Sequence, residues 1–353
     1  MTTKAFYQYT FQNFCTLFEE AHLPPSSAKI LYNWFYRLKR QGPITKSMAK
    51  TDISQKSIEY MNQTFDFSLP RIDRVQKSLD RTVKLSFELK DKKKVETVII
   101  PFQGKYTICL SSQVGCAMKC SFCFTGTQGL KRNLETYEIV GQFMAAQHWL
   151  NENRPEDNRI LNLVFMGQGE PLHNFNAVKE ACQIFIDTHG ICLAKEKITV
   201  STAGYLPGMK RWIHEMPEVN LALSLHSPIK EKRDELIPLN KSYPLSEVLA
   251  LIDTIPLKKK RWITYEYLII KNFNDEVEDA YLVKNLLKDK PALINIIPFN
   301  PFPGSKYQRP SDSKIFAFQQ VLQDAKIHAI IRKTKGDTIL AACGQLHSEK
   351  SFI

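Results

Sequence analysis

Two periods of apolar residues divide this chain. Up to about residue 85 the spacing is mostly helical. Residues 11–21 repeat at three and four. So do Ile30, Leu31, Trp34 and Leu38, in a run that Ser26 or Ser27 would cap and that ends at Lys39. A third helix is expected to open at Thr51 or Asp52 and run to Met61. Residues 83–89 then alternate apolar with polar, Lys90 to Lys94 turns, and 95–100 return as a second strand. From about residue 105 short apolar runs alternate with helical ones. Strands are predicted at 106–112, 160–166, 198–202, 219–225, 262–270 and 292–298, with helices at 135–150, 177–188, 277–288 and 313–326. Residues 151–158 read as a polar surface loop, and a last strand, 327–332, leads into a C-terminal segment. Six strands alternating with helices imply an α/β fold with a parallel sheet, whose functional loops follow the strands' C-terminal ends. The expected organisation is a helical accessory region over 1–85, a catalytic core over 86–335 and a terminal segment over 336–353.

Composition narrows the class. With 353 residues and 43% hydrophobic content, the chain can bury a large core and a smaller module. No stretch approaches the roughly 18 apolar residues of a membrane span, and the first residues lack an apolar signal core. A cytoplasmic protein with no membrane partner is expected, its thiols reduced and able to hold metal. Lys and Arg number 48 against 36 Asp and Glu, a net charge of +12 that favours a polyanionic partner such as nucleic acid. The basic clusters 37–40, 92–94, 131–132 and 258–261 are spread along the chain. The aromatics of the helical region read as core rather than as base-stacking platforms.

Candidate chemistry centres on Cys116-Ala-Met-Lys-Cys120-Ser-Phe-Cys123, a C-x₃-C-x₂-C run with no fourth cysteine nearby. A closed zinc site wants four ligands, and so do common ferredoxin clusters. Three thiolates on a four-iron cluster leave one iron open to a reactant. A redox-inert loop, or zinc completed by a distant His, is the competing reading. Further polar groups fall at strand ends: Gly167-Gln-Gly169-Glu170-Pro171, Ser201-Thr-Ala-Gly204, Ser224-Leu225-His226-Ser227, and Asn300 within 298–304. Glycines let backbone approach a ligand closely, and Glu170 can accept from an ammonium group. Several such ends on one rim favour ligand binding. Glu96 interrupts an apolar run and points either to solvent or into the site as a carboxylate base. Cys109 and Cys343 read either as buried free thiols or, because Gly344 suggests a mobile loop, as a covalent carrier and its partner. Cys15, Cys182 and Cys192 lie outside these motifs.

Taken together, these motifs closely resemble the RlmN/Cfr family of radical S-adenosylmethionine (SAM) RNA methyltransferases. The carriers are Val95-Glu96-Thr97-Val98, Cys109 to Cys116, Phe122-Cys123, residues 167–171, Leu223 to Ser227, Asn300 to Gly304 and Ala341-Ala-Cys343-Gly-Gln-Leu346, spanning about 95 to 346. The resemblance implies an incomplete (β/α)₆ radical SAM barrel with a small N-terminal helical accessory domain. It implies a [4Fe–4S] cluster on Cys116, Cys120 and Cys123, and SAM held by Gly169, Glu170, Ser201, Ser224, Leu225, His226 and Asn300. One SAM would methylate Cys343, and a second would yield a 5′-deoxyadenosyl radical that takes hydrogen from that methyl. The resulting methylene radical would add to an adenine carbon, and a Cys109–Cys343 disulfide would form as the adduct resolves. Glu96 matches the family's proton acceptor. The implied partners are 23S ribosomal RNA, transfer RNA and a flavodoxin-type electron donor, with the protein a monomer. RlmN-type enzymes act at carbon 2 of adenine, and Cfr-type enzymes at carbon 8. Pro171 and the Asn-Pro-Phe-Pro-Gly run resemble the first type, which is favoured. Leu223-Ser-Leu-His-Ser and Phe124-Thr-Gly-Thr resemble the second. Gln168 stands where Met is usual.

Two other classes compete: an RNA-binding protein with a zinc-bound cysteine loop and no catalysis, and a radical SAM enzyme acting on a small substrate. The second has no use for a methyl-carrying thiol, which Cys343 supplies.

Overall fold

The computed structural model describes residues 3–46, 53–216, 218–258 and 261–348. Thr51 and Asp52, expected to open a helix, and Lys259 and Lys260 of the last basic cluster lie outside the described residues.

Among the described residues the chain begins with helices α1 (Phe11–Glu20), α2 (Pro25–Tyr36) and α3 (Gln55–Thr64). Thr10 caps α1 by accepting from the Asn13 N–H, and Ser54 caps α3 through the Ser57 N–H. Helix α2 starts before the serines expected to cap it. Pro25 takes the first helical position, where its missing N–H costs nothing, and Ser27 is buried. Phe6, Phe14, Phe18, Tyr32, Phe35 and Tyr36 are fully buried among these helices, so the aromatics are core.

The main sheet has ten strands: β1 (Arg71–Lys77), β2 (Val83–Glu88), β3 (Lys94–Phe102), β4 (Lys105–Cys109), β5 (Ile160–Phe165), β6 (Ile198–Thr202), β7 (Asn220–Ser224), β8 (Ile263–Ile269), β9 (Ala292–Pro298) and β10 (His328–Ile331). They lie side by side in chain order. Strands β1 to β4 pair antiparallel, and β4 to β10 run parallel. Residues 71–77, which the sequence assigns to the helical region, belong to this sheet. Strand β1 is an edge strand with no fully buried residue, so its apolar signal is weak.

Helices follow the parallel strands as crossovers: α4 (Thr136–Asn153), α5 (Phe175–Ile186), α6 (Leu206–Glu215), α7 (Lys230–Leu236), α8 (Leu245–Asp253), α9 (Val277–Leu287) and α10 (Asp312–Asp324). Helices α6, α7 and α8 are absent from the sequence expectation, and α4 absorbs the start of the polar insertion. The result is an open, partial β/α barrel with the N-terminal helices beside it. Its core includes Ile108, Leu163, Val200, Leu223 and Ile294, each 0% exposed on the parallel strands. Among the described residues no helix is long and apolar enough to cross a membrane.

Candidate active site

The Cys116–Cys123 loop leaves the C-terminal end of β4 and is shaped by glycines that nothing else could replace. Gly115 has φ +74°, and a Cβ there would lie 1.8 Å from the Gly129 carbonyl oxygen. The Cys116 N–H donates to that same oxygen. Cys123 donates to the Cys120 carbonyl and Gly126 to the Cys123 carbonyl, which winds the loop tightly. All three cysteines are free and line one cleft. Among the described residues no three His, Cys, Asp or Glu side chains converge as the ligands of a single ion do. Thiolates that bind separate irons of one cluster need no such convergence. Burial pushes the Cys116 thiol up to about 12 and raises Cys120 and Cys123, so the three are neutral thiols until a metal displaces their protons. Behind Cys120 the Arg233 guanidinium is 1% exposed, and its Nε and Nη1 have no partner among the described residues. A buried cation beside the triplet fits an anionic cluster.

Across the cleft, β5 ends in the Gly167–Pro171 turn. Gly169 has φ +104°, and a Cβ there would meet the Gln113 nitrogen at 2.8 Å. This brings Glu170 to the floor, 3% exposed. Its Oε1 accepts from the Leu172 N–H at 3.1 Å and its Oε2 from the Ala203 N–H at 2.8 Å. Burial raises the carboxyl to about 7 against those bonds. An ammonium ligand would return it to the ionised form. Ser201, Ser224 and His226 line the same cleft from β6 and the end of β7. His226 has φ +55°, and its Nδ1 accepts from the Leu268 N–H at 3.0 Å. Burial, with the Arg233 charge nearby, lowers its pKa to about 3, so it is a neutral imidazole. Leu225 is fully buried outside the cleft, its N–H bonded to the Glu266 carbonyl. The cleft thus sets a buried carboxylate, two serine hydroxyls and a neutral imidazole beside the cysteine triplet.

The C-terminal segment docks over this end of the barrel rather than hanging free. Phe124 N–H donates to the Gly344 carbonyl at 2.7 Å, Thr125 Oγ1 to the Leu346 carbonyl at 2.7 Å, and Gln345 Nε2 to the Pro301 carbonyl at 2.7 Å. Gly344, at φ +82°, makes the turn that exposes Cys343. Cys343 borders two cavities. One is the cysteine cleft. The other contains Cys109, which is 7% exposed, together with Thr107, Arg332, Lys333 and Lys335. Burial raises the Cys109 thiol, and the neighbouring Cys343 sulfur adds to the effect. Asn300 lines the second cavity. Its Nδ2 donates to the Cys343 carbonyl at 3.3 Å, and its Oδ1 accepts from Thr334 at 3.0 Å.

Glu96 lies on neither surface the sequence offers it. It is 5% exposed and opens on a separate polar cleft with Arg74, Lys94 and His347. Its Oε1 pairs with Lys84 Nζ at 3.1 Å, and its Oε2 accepts from the His347 N–H at 2.9 Å. Gln168 Oε1 accepts from the Glu96 N–H at 3.0 Å. Gln168 Nε2 reaches Ser348 at 3.3 Å, so the residue in the usual Met position ties β3 to the C-terminal segment.

Sequence reading missed several site residues. Glu266, a carboxylate within the apolar strand β8, borders both cavities and accepts from Asn295 Nδ2 at 2.8 Å. The signal was available as an acid inside an apolar run. Lys84 hides in an alternating strand as an apparent solvent-facing lysine. Arg233 hides in the charged run of α7. Several basic clusters are occupied by the protein's own acids: Lys92 by Glu88, Lys94 by Asp73, and Arg132 by Asp91 and Glu138.

Residues 110–282 match the radical SAM superfamily. A dual-specificity RNA methyltransferase RlmN of Gluconobacter oxydans (strain 621H) is 39% identical over 345 residues, 96% of this chain and 84% of that protein. A radical SAM methyltransferase from Sphaerobacter thermophilus, known from its crystal structure, superposes with a TM-score of 0.88 at 33% identity, over 98% of this chain and 99% of that one. The cysteine triplet, the glycine-shaped cleft beside it and the likeness over 96% of the chain agree: the chain belongs to the RlmN family of radical SAM RNA methyltransferases, which work with a [4Fe–4S] cluster and SAM.

Proposed function

We propose that the protein methylates carbon 2 of adenine in 23S ribosomal RNA and in transfer RNA, with Cys343 as the methyl carrier and two SAM consumed per turnover. The observation that carries the reading is the place of Cys343, on the wall between the cleft of the three cluster cysteines and the cavity of Cys109. Cys116, Cys120 and Cys123 would hold the cluster, and Gly169, Glu170, Ser201, Ser224 and His226 would hold SAM. Bound there, cluster and SAM supply a 5′-deoxyadenosyl radical by one-electron reduction of the sulfonium.

Residue roles follow from placement. Glu170 takes the SAM amine as a charge-assisted acceptor and fixes the sulfonium's approach. His226, neutral and held through Nδ1, offers ring contact without adding positive charge beside a sulfonium. Cys343 accepts a methyl group by displacement and carries it past the cleft wall, and Asn300 sets its main chain. Cys109 borders Cys343's second cavity and is placed to bond the carrier sulfur as the carbon–sulfur bond breaks; its thiol proton would complete the new methyl group, the ring proton would leave to Glu96, and the one remaining electron would return to the oxidised cluster. Glu96 is the acceptor for the adenine proton, and Lys84 pairs with it at 3.1 Å. Adenine carbon 2 is electron-poor, so displacement from the sulfonium fails there while radical addition succeeds. The base must be unstacked to reach the cleft, which suits RNA loops.

The reading is tested with Cys343→Ala and Cys109→Ala. Cys343→Ala should abolish methyl transfer to RNA while keeping iron content and SAM binding. Cys109→Ala should accumulate a covalent RNA–protein adduct, visible as a shifted band. Methyl transfer by Cys343→Ala would refute the carrier role, and clean product release by Cys109→Ala would refute the resolving role.

A further inference from the structure

We propose that Arg233 is a buried positioning cation for the iron–sulfur cluster, set behind the Cys120 sulfur to stabilise the negative charge that the cluster gains on reduction. The inference rests on Cys116, Cys120 and Cys123 holding that cluster. Arg233 lies in α7, a helix of sequence KEKRDEL that reads as a solvated surface run. Yet it is among the largest fully buried side chains of the protein, at 1% exposure. Its Nη2 donates to the Ala203 carbonyl at 3.0 Å. Its Nε and Nη1 are buried without a partner among the described residues.

Neighbouring carboxylates do not neutralise it through a salt bridge among the described residues. Asp234 pairs with Lys230 at 2.7 Å, and Glu235 pairs with Lys306 at 2.7 Å. The Cys120 sulfur is the first of the negative charges acting on the guanidinium. The helix and the cysteine loop are also clamped together at this point. Ser121, the residue after Cys120, donates its N–H to the Leu236 carbonyl at 3.0 Å and its Oγ to the Glu235 carbonyl at 2.9 Å. The Ala203 peptide joins the cation to the SAM-facing carboxylate: its N–H donates to Glu170 and its carbonyl accepts from Arg233.

A buried guanidinium with two idle donors is costly to keep unless an anion answers it. Three thiolates around a four-iron cluster make a net anion, and the charge grows by one when an electron arrives from the external donor. No bond to Arg233 forms or breaks, and it exchanges no proton. A fixed positive charge in a dry site favours the reduced form, because net charge, hydrogen bonds and burial set cluster potentials. Arg233 is absent from the residues lining the SAM cleft, so its charge acts from behind the cluster loop.

The test compares the full-length protein with Arg233→Met and Arg233→Lys. Iron and sulfide per chain are measured first, to show that each protein carries a cluster. A wild-type protein that takes up no iron would refute the cluster assignment itself. A redox titration followed by electron paramagnetic resonance, without SAM, then reads the midpoint potential. Arg233→Met should move the midpoint to a more negative value, and Arg233→Lys, which keeps the charge, should restore most of the shift. Thermal unfolding gives a second, independent sign. Removing an unanswered charge should leave the iron-free chain at least as stable as wild type, while the cluster-loaded chain loses stability. An unchanged midpoint in an iron-replete Arg233→Met protein would overturn the proposal. So would weaker SAM binding at an unchanged midpoint, which would assign the guanidinium to the SAM carboxylate. Equal destabilisation of iron-free and loaded chains would reduce Arg233 to a packing role.

Discussion

Replacing Glu96 by Gln keeps the side chain's shape and one amide oxygen but removes the charge that answers Lys84. Both side chains are 7% exposed and meet at 3.1 Å. Glu96 also accepts from the His347 N–H, and Lys84 donates to the Leu340 carbonyl at 3.1 Å. Removing one partner of a buried pair costs about 3–5 kcal/mol, because the other charge stays buried alone. The Gln oxygen still serves His347, so the lower end, about 3 kcal/mol, is expected. Unfolding entropy scales at roughly 2.1 cal/mol/K per residue, so 353 residues give about 0.7 kcal/mol per degree and a melting shift of about 4 °C. Adding Lys84→Met removes the stranded ammonium and should recover most of that loss, giving a strongly non-additive cycle. Thermal unfolding by circular dichroism at low and high salt is the assay. A buried pair is little screened, so the shift should persist in salt. RNA methylation should stay abolished in the double variant despite its recovered stability. A Glu96→Gln melting point within about 0.5 kcal/mol of wild type, the range of ordinary surface substitutions, would refute the buried-pair argument. So would an additive cycle.

Three further outcomes are expected. Gly169→Ala should weaken SAM binding and destabilise the protein by at least about 1–3 kcal/mol, since φ +104° is strained for alanine and its Cβ would meet Gln113; equilibrium dialysis and thermal melts read both. Glu170 sits at about 7 in the free site, and the SAM ammonium needs it ionised, so affinity should tighten about tenfold per pH unit up to pH 7 and then level. Glu170→Gln should bind more weakly and lose that slope, which isothermal titration checks from pH 5.5 to 8.5. Cys120→Ser should lower bound iron and the thiolate-to-iron absorption in anaerobically purified protein, because one of three cluster ligands becomes a poor one.

What was legible in the sequence is what chemistry makes repetitive. The cysteine triplet, the Gly-Gln-Gly-Glu-Pro turn and the seven parallel strands all announce themselves by spacing or by apolar runs. Strand β1 did not, because an exposed edge strand has few residues to bury. Helix α7 did not, because its buried face is made by Arg233 and Leu236 rather than by an apolar stripe. The alternation in β2 marks a strand but does not show that Lys84 is buried, since the partner that buries it is 12 residues away on β3. Glu96 could be narrowed only by knowing where the chain's end returns. His347 closes on it from 251 positions downstream, a contact that local pattern does not encode. Asn300 is legible as a polar residue at a strand end, but its bond to the Cys343 carbonyl, 43 positions downstream, is not.

The central claim, methylation of adenine carbon 2 in RNA, is tested most directly by mass spectrometry of nucleosides from ribosomal and transfer RNA of cells with and without this protein. The account predicts that 2-methyladenosine disappears from both RNA classes without the protein and returns with the wild-type chain but not with Cys343→Ala. Unchanged 2-methyladenosine would contradict it, and loss of 8-methyladenosine in its place would move the same machinery to the other carbon of the base.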